Sequence, residues 1–169
     1  MNLKPEGRLA EITSRVAFGV SVLDVGTDHG YIPIYLAENG IAAQIFASDV
    51  STGPLETAKR NAEKRGLSDK ITFLLADGIP EAVAPLVDTI IIAGMGGETI
   101  TGILERAPKT LKDGVFFILQ PQTKLDALLN HLQFGEYNSI NLSEVTEGRR
   151  KYTIVTSRKG NVSLILEKK

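Results

Sequence analysis

The chain has 169 residues, 43% hydrophobic and 23% charged, with a formal net charge of −1. That size and balance suit one domain with a sizeable core; they exclude a largely disordered chain and a uniformly basic nucleic-acid-binding body. With no Cys and only His29 and His131, disulfides, thiolate catalysis, cysteine–zinc sites and a histidine-rich metal cluster are excluded, and no metal is expected.

An N-terminal helix is expected within residues 1–18. Leu9, Ile12 and Val16 share one face, Pro5 suits the first turn and Gly19 the stop. This helix should lie against a sheet or over a ligand. The apolar run Val22–Val25 reads as a buried strand that breaks into Gly26-Thr27-Asp28-His29-Gly30. A nearly all-apolar helix then runs from Tyr31 to Ala37, with Pro33 in its first turn and Gly40 at its stop. A second strand covers Gln44–Asp49. The next helix starts at about Pro54, with Leu55, Ala58 and Ala62 inward, a cationic outer face (Lys59, Arg60, Lys64, Arg65) and Glu56–Arg60 spaced for an i,i+4 pair.

Ile71–Ala76 is the third strand, closing on Asp77-Gly78. Thr89–Ala93 is apolar without alternation and therefore central in a sheet. It leads into Gly94-Met95-Gly96-Gly97 and a helix with Ile100, Ile103, Leu104 and Ala107 on one face. The fifth strand, Val115–Leu119, ends at Gln120-Pro121-Gln122, and Thr123 is the expected cap of a leucine-rich helix. Within residues 136–169 the pattern changes to two strands, Tyr137–Val145 and Tyr152–Thr156, around Glu147-Gly148. A short alternating run, Val162–Leu166, follows. Alternating strands and helices imply a doubly wound, mostly parallel sheet of seven strands, in one domain, with a terminal hairpin strand inserted antiparallel.

The glycine turn after the first strand carries the chemistry. A dinucleotide fingerprint, G-x-G-x-x-G, places its second glycine against a pyrophosphate. Counting from Gly26, that position is Asp28 and the third is Tyr31. A carboxylate there repels a diphosphate but suits S-adenosyl-L-methionine, which has no phosphate and carries a sulfonium and an ammonium. Asp24-x-Gly26-x-Asp28-x-Gly30 resembles the acid-x-G-x-G-x-G motif of class I methyltransferases, with Asp28 in place of the middle glycine. The competing reading is an ordinary strand-to-helix turn with capping acids.

Ligands of such sheets bind beyond the C-terminal strand ends. Asp49, followed by Val50, ends the second strand where an acid accepts from ribose hydroxyls; its alternative role is a helix cap, which Ser51 and Thr52 already supply. Asp77, with Gly78, is placed to accept from the adenine amino group, although Asp-Gly is also a common turn pair. Asp24, inside an apolar strand, needs a partner such as the methionine ammonium or loop N–H groups. Ala93, Gly94, Met95 and Gly96 stand beside the expected transfer centre, where glycines let cofactor and target lie against the backbone. Tyr31 and Gln120 complete the cofactor set, and Asp28, His29 and Met95 are the catalytic candidates. No D/N-P-P-Y-like run is present, which argues against an exocyclic-amine target. The clustered Arg149, Arg150 and Lys151 are the RNA-binding candidates, while His131 reads as structural or exposed.

Gly26-Thr27-Asp28-His29-Gly30-Tyr31-Ile32-Pro33, Ala93-Gly94-Met95-Gly96-Gly97 and Leu119-Gln120-Pro121 together resemble the signature runs of the bacterial tRNA (adenine(22)-N1)-methyltransferases, over nearly the whole chain. The resemblance implies a Rossmann-like class I methyltransferase fold, S-adenosyl-L-methionine as cofactor and tRNA as substrate. Members of that family usually continue into a helical, coiled-coil-like extension that helps hold tRNA, and this sequence shows no counterpart to it. Rival readings are a methyltransferase of another RNA or a small molecule, a non-catalytic cofactor-binding module, and an NAD-dependent oxidoreductase. No apolar run reaches membrane-spanning length and no signal-peptide core is present, so a cytoplasmic protein is expected.

Overall fold

In the computed structural model, which describes residues 6–160, seven strands form one sheet. The elements are α1 (Gly7–Ser14), β1 (Ser21–Val25), α2 (Tyr31–Glu38), β2 (Gln44–Asp49), α3 (Thr52–Glu63), β3 (Thr72–Leu75), β4 (Thr89–Met95), α4 (Gly97–Glu105), β5 (Phe116–Pro121), α5 (Leu125–Phe134), β6 (Tyr137–Glu147) and β7 (Arg150–Lys159). The strand order is β3-β2-β1-β4-β5-β7-β6. The first five are parallel, and β7 inserts antiparallel between β5 and β6.

Successive side chains of a strand point to opposite faces, so an uninterrupted apolar strand can feed two cores. Ile90 and Ile92 of β4, with Phe117 and Leu119 of β5, pack on the α4 and α5 face against Ile100, Leu104, Leu128 and Leu132. Ile91 and Ile118 point the other way, to a second cluster with Ile12 of α1 and Ile32, Ile34 and Leu36 of α2. This two-sided burial explains why β4 shows no polar alternation. Chain order reverses between β1 and β4, which opens a crevice beyond their C-terminal ends.

Several boundaries differ from the expected ones. β4 continues through Gly94 to Met95, with an irregularity between Ala93 and Met95 in its pairing to β5. β5 likewise takes in Gln120 and Pro121. α3 begins at Thr52, and α5 is preceded by Lys124 in the left-handed conformation (φ 54°) rather than capped by the Thr123 side chain. The hairpin strands are longer than their apolar content predicts, because main-chain pairing continues out to Glu147 opposite Arg150. Arg150 and Lys151 therefore belong to β7, and only Arg149 lies in the turn. Glu56 pairs with Lys59 (2.7 Å) instead of Arg60, which donates to the Thr57 hydroxyl. Pro5, and the alternating run Val162–Leu166, lie outside the described residues.

Side-chain contacts tie α1 to the hairpin. Arg8 forms an ion pair with Glu147 (3.2 Å), its guanidinium stands 4.8 Å over the Tyr152 ring, and Arg15 donates to Ser143 (2.9 Å). The helix is thereby held on the hairpin. Among the described residues, no helix is long and apolar enough to cross a membrane and no group of three or more acidic or histidine side chains could hold a metal.

Candidate active site

A cavity of about 400 Å³ opens at the C-terminal ends of β1 and β4. β1 and its following turn supply Asp24, Gly26, Thr27, Asp28 and His29; Tyr31 comes from α2, Asp49 from β2, and Ala93, Gly94 and Met95 from β4. Arg8 and Leu9 of α1, Ile32 of α2 and Gln122 also line it, none of them a candidate from sequence. The sequence pattern predicts the N-terminal helix against a sheet or over a ligand, but no local signal singles out Arg8 and Leu9 of it for this role. Gln122 carried one, as the second glutamine of Gln120-Pro121-Gln122 beyond a strand end.

The turn is held by its backbone. The Gly26 and Thr27 N–H groups both donate to the Ser48 carbonyl (2.8 and 3.0 Å), and Gly30 N–H donates to the Thr27 carbonyl. Asp28 adopts the left-handed conformation (φ 49°), which explains both the usual glycine at that motif position and the tolerance of Asp, one of the few other residues that visit it. Gly30 does not line the cavity; it lets α2 pass close to Ala58 of α3.

The three carboxylates of the cavity differ in environment. Asp49, buried, accepts from the Ser51 N–H (2.9 Å) and the Asp28 N–H (3.3 Å), joining the turn to the start of α3. The bond to Ser51 is a local turn bond to the residue before the helix and not a helix cap, and the Ser51 side chain makes no cap bond either. Asp24 is 3% exposed, and its pKa is pushed up to about 7. Burial is the main cause; the Thr27 hydroxyl, which makes no close hydrogen bond, works against it, and the negative charge of Asp49 adds to it. Asp28 is exposed, with its Oδ2 3.7 Å from His29 Nε2, and the His29 ring stacks on Tyr31 at 5.4 Å. The site is a concentration of negative charge around a nearly dry carboxyl, with an aromatic edge.

Other sequence candidates stand apart from the cavity lining. Gln120 is fully buried; its Oε1 accepts from the Gly94 N–H and from Gln122 Nε2 (both 3.2 Å). It therefore positions the β4 end, while Gln122 takes the exposed place in the cavity wall. Asp77 is exposed and ion-paired with Arg106 (3.3 Å), Val50 is exposed, and neither Gly78 nor Gly96 lines the cavity. Among the glycines after β4, Gly94 requires its freedom (φ 78°), whereas Gly96 has an ordinary φ of −62°. Gly97 makes the closest backbone approach: a Cβ there would lie 2.1 Å from the Lys124 carbonyl oxygen. His131 lies away from the cavity, with Nδ1 3.9 Å from Glu105. Arg149, Arg150 and Lys151 are exposed; Arg150 and Lys151 line a different cavity, and Arg149 does not.

The fold and the site define a class I methyltransferase, and residues 6–155 match the sequence-family model described as a methyltransferase domain. The chain is 31% identical over 159 residues to the tRNA (adenine(22)-N(1))-methyltransferase of Bacillus subtilis, a match covering 94% of this chain and 67% of that protein. It belongs to that family. The solved structure of B. subtilis TrmK superposes with a TM-score of 0.88 at 31% identity, covering 94% of this chain and 68% of that one. The Streptococcus pneumoniae protein Sp1610, in complex with S-adenosyl-L-methionine, gives 0.83 at 38% identity, covering 93% and 74%. The chain thus spans about two thirds to three quarters of these relatives.

Proposed function

We propose that this chain methylates N1 of an adenine in tRNA, position 22 as in the B. subtilis relative, with S-adenosyl-L-methionine as donor. The observation that carries this reading is the acid-lined cavity at the β1–β4 switch point, with Asp24, Asp28 and Asp49 together. That donor set fits a cationic cofactor and opposes a diphosphate such as that of NAD. The likeness to a neighbour solved with S-adenosyl-L-methionine supports the same choice.

When bound, the cofactor supplies an electrophilic methyl group on a sulfonium. Asp24 would hold its ammonium, and Asp49 would accept from the ribose hydroxyls. Asp28, His29 and Met95, also in the cavity lining, would stand beside the target base. Adenine N1 has a free lone pair at neutral pH, so no general base is required, and the residues here act by alignment and exclusion of water. Positive charge develops on the base, and the Asp28 carboxylate stabilises it. N1 lies on the pairing edge, so the adenine must be unpaired or flipped out. The reading treats residues 1–169 as one domain acting where tRNA is, in the cytoplasm.

Incubation with labelled S-adenosyl-L-methionine and bulk tRNA, followed by nucleoside analysis, is expected to give 1-methyladenosine. A different methylated nucleoside, or none, overturns the substrate assignment. Asp49→Ala is expected to weaken cofactor binding by about 1.5–3 kcal/mol, the range for a hydrogen bond involving a charged group. Calorimetry on a variant with native circular dichroism measures this, and unchanged affinity removes Asp49 from the ribose site.

A further inference from the structure

Beside the acid-lined cavity lies a second one, of about 450 Å³, with the opposite character. Lys124, Arg150 and Lys151 line it, together with Thr123, Thr153 and Tyr152, and among the described residues no carboxylate does. Its cations come from two separate elements, the start of α5 and the start of β7. Gln122 lines both cavities and is their common wall. Arg8 joins them too, bordering the first while its guanidinium stacks on the Tyr152 ring of the second.

The charges in this second cavity are largely unspent and face one space. Elsewhere many cations are matched, Arg8 with Glu147, Arg15 with Glu11, Lys59 with Glu56, Arg106 with Asp77, Lys112 with Asp88 and Lys159 with Asp113. Among the described residues, the Lys124 and Arg150 side chains have no ion-pair or hydrogen-bond partner, and Lys151 has only an exposed pairing with Glu144 at 3.4 Å. Lys124 also holds a left-handed backbone conformation (φ 54°) that few non-glycine residues adopt. It is kept there by the Gly97 N–H bond to the preceding Thr123 carbonyl (2.7 Å) and by the close seat of Gly97 on its own carbonyl. The backbone at the end of β4 therefore sets where Lys124 sits.

From this juxtaposition we propose that the Lys124–Arg150–Lys151 cavity is a phosphate site of the substrate RNA, holding the backbone phosphate next to the adenine that enters the first cavity. It rests on the reading of RNA as substrate. A methyl donor that is a cation and a substrate that is a polyanion require opposite fields within one nucleotide of each other. The two cavities supply them on either side of Gln122. A base presented to Asp28 and Met95 carries its sugar-phosphate past that wall. Arg offers a fork matched to phosphate oxygens and Lys a compact charge, so Arg150 and Lys124 are the principal contacts.

The test is fluorescence anisotropy with a labelled single-stranded RNA oligonucleotide containing one central adenosine, titrated at several salt concentrations. Lys124→Gln, Arg150→Gln and a distant control, Lys64→Gln, are compared with the unsubstituted chain. Each site variant is expected to bind about ten-fold more weakly at low salt and to flatten the log–log salt slope by about 0.7. Affinity for S-adenosyl-L-methionine should be unchanged, which also reports that the variants fold. Slopes identical to the unsubstituted chain in both site variants overturn the phosphate site, as does an equal change in Lys64→Gln. Because the readout is binding and not turnover, it stands apart from the tRNA assay: failure of methyl transfer rejects the function, and unaltered slopes reject this cavity.

Discussion

Asp24→Asn is expected to weaken S-adenosyl-L-methionine binding by roughly 1.5–3 kcal/mol, the scale of a hydrogen bond to a charged group, and to flatten its pH dependence below neutrality. The Asp24 carboxyl is 3% exposed and titrates at about 7, against 3.8 in an unfolded chain. Below pH 3.8 both folded and unfolded states hold the proton. Between 3.8 and about 7 the unfolded chain has lost it while the folded chain keeps it, so stability of the free protein falls as pH rises through that window. A cationic ligand favours the ionised form. Binding should therefore strengthen from about pH 5 to 7 and release a proton, visible as a dependence of the measured heat on buffer ionisation enthalpy. The Asn variant has no proton to release, so its affinity and its thermal midpoint should both be flatter over that range. Full affinity in Asp24→Asn, or an unchanged pH profile, would show that the ammonium is held elsewhere.

Gly97→Ala should be among the more damaging single-methyl additions in the described chain. The new Cβ would fall 2.1 Å from the Lys124 carbonyl oxygen and 2.8 Å from its carbonyl carbon. These are backbone atoms, so no rotamer change relieves the contact; either α4 or the Thr123–Lys124 segment must move. Overpacking of this kind costs about 1–3 kcal/mol and occasionally more, which for a chain of this size lowers the melting temperature by roughly 2–10 °C. Gly53→Ala in α3 is the counterpart, with nothing near its Cβ. It should be neutral or stabilising by up to about 1 kcal/mol, from helix propensity. Scanning calorimetry on both variants checks this pair. Equal melting temperatures would mean that the α4–α5 junction yields without cost. The Gly97 variant should also weaken RNA binding, because the movement displaces Lys124.

The relation between sequence and site is clearest at Gln120 and Asp49. Gln120 ends an apolar strand, so position along the chain marks it as a ligand contact. Its amide instead spends its bonds on Gly94, Gln122 and Pro121 inside the protein. Asp49 was legible as a strand-end acid, but its bonds to the Asp28 and Ser51 N–H groups were not. Those bonds depend on how the first turn folds over the second strand. Asp77 shows the same limit from the other side, since its pairing with Arg106, 29 residues away, depends on where α4 lies.

By itself, the sequence determined the layers and the chemistry of the glycine turn. Unbroken apolar runs require burial on both faces, and alternating strands and helices require a parallel sheet with its crevice at the carboxyl ends. An acid at the middle-glycine position opposes a diphosphate. These follow from local pattern and charge, which need no knowledge of distant partners. Only the tertiary structure decided that α1 is tied to the hairpin through Arg8 and Glu147, that main-chain pairing carries the hairpin past its apolar residues, and that Lys124 joins Arg150 and Lys151 around one cavity. Each of these unites segments far apart in the chain, and such meetings are set by how α1, α5 and the hairpin pack on the sheet. No period or spacing within one segment encodes them.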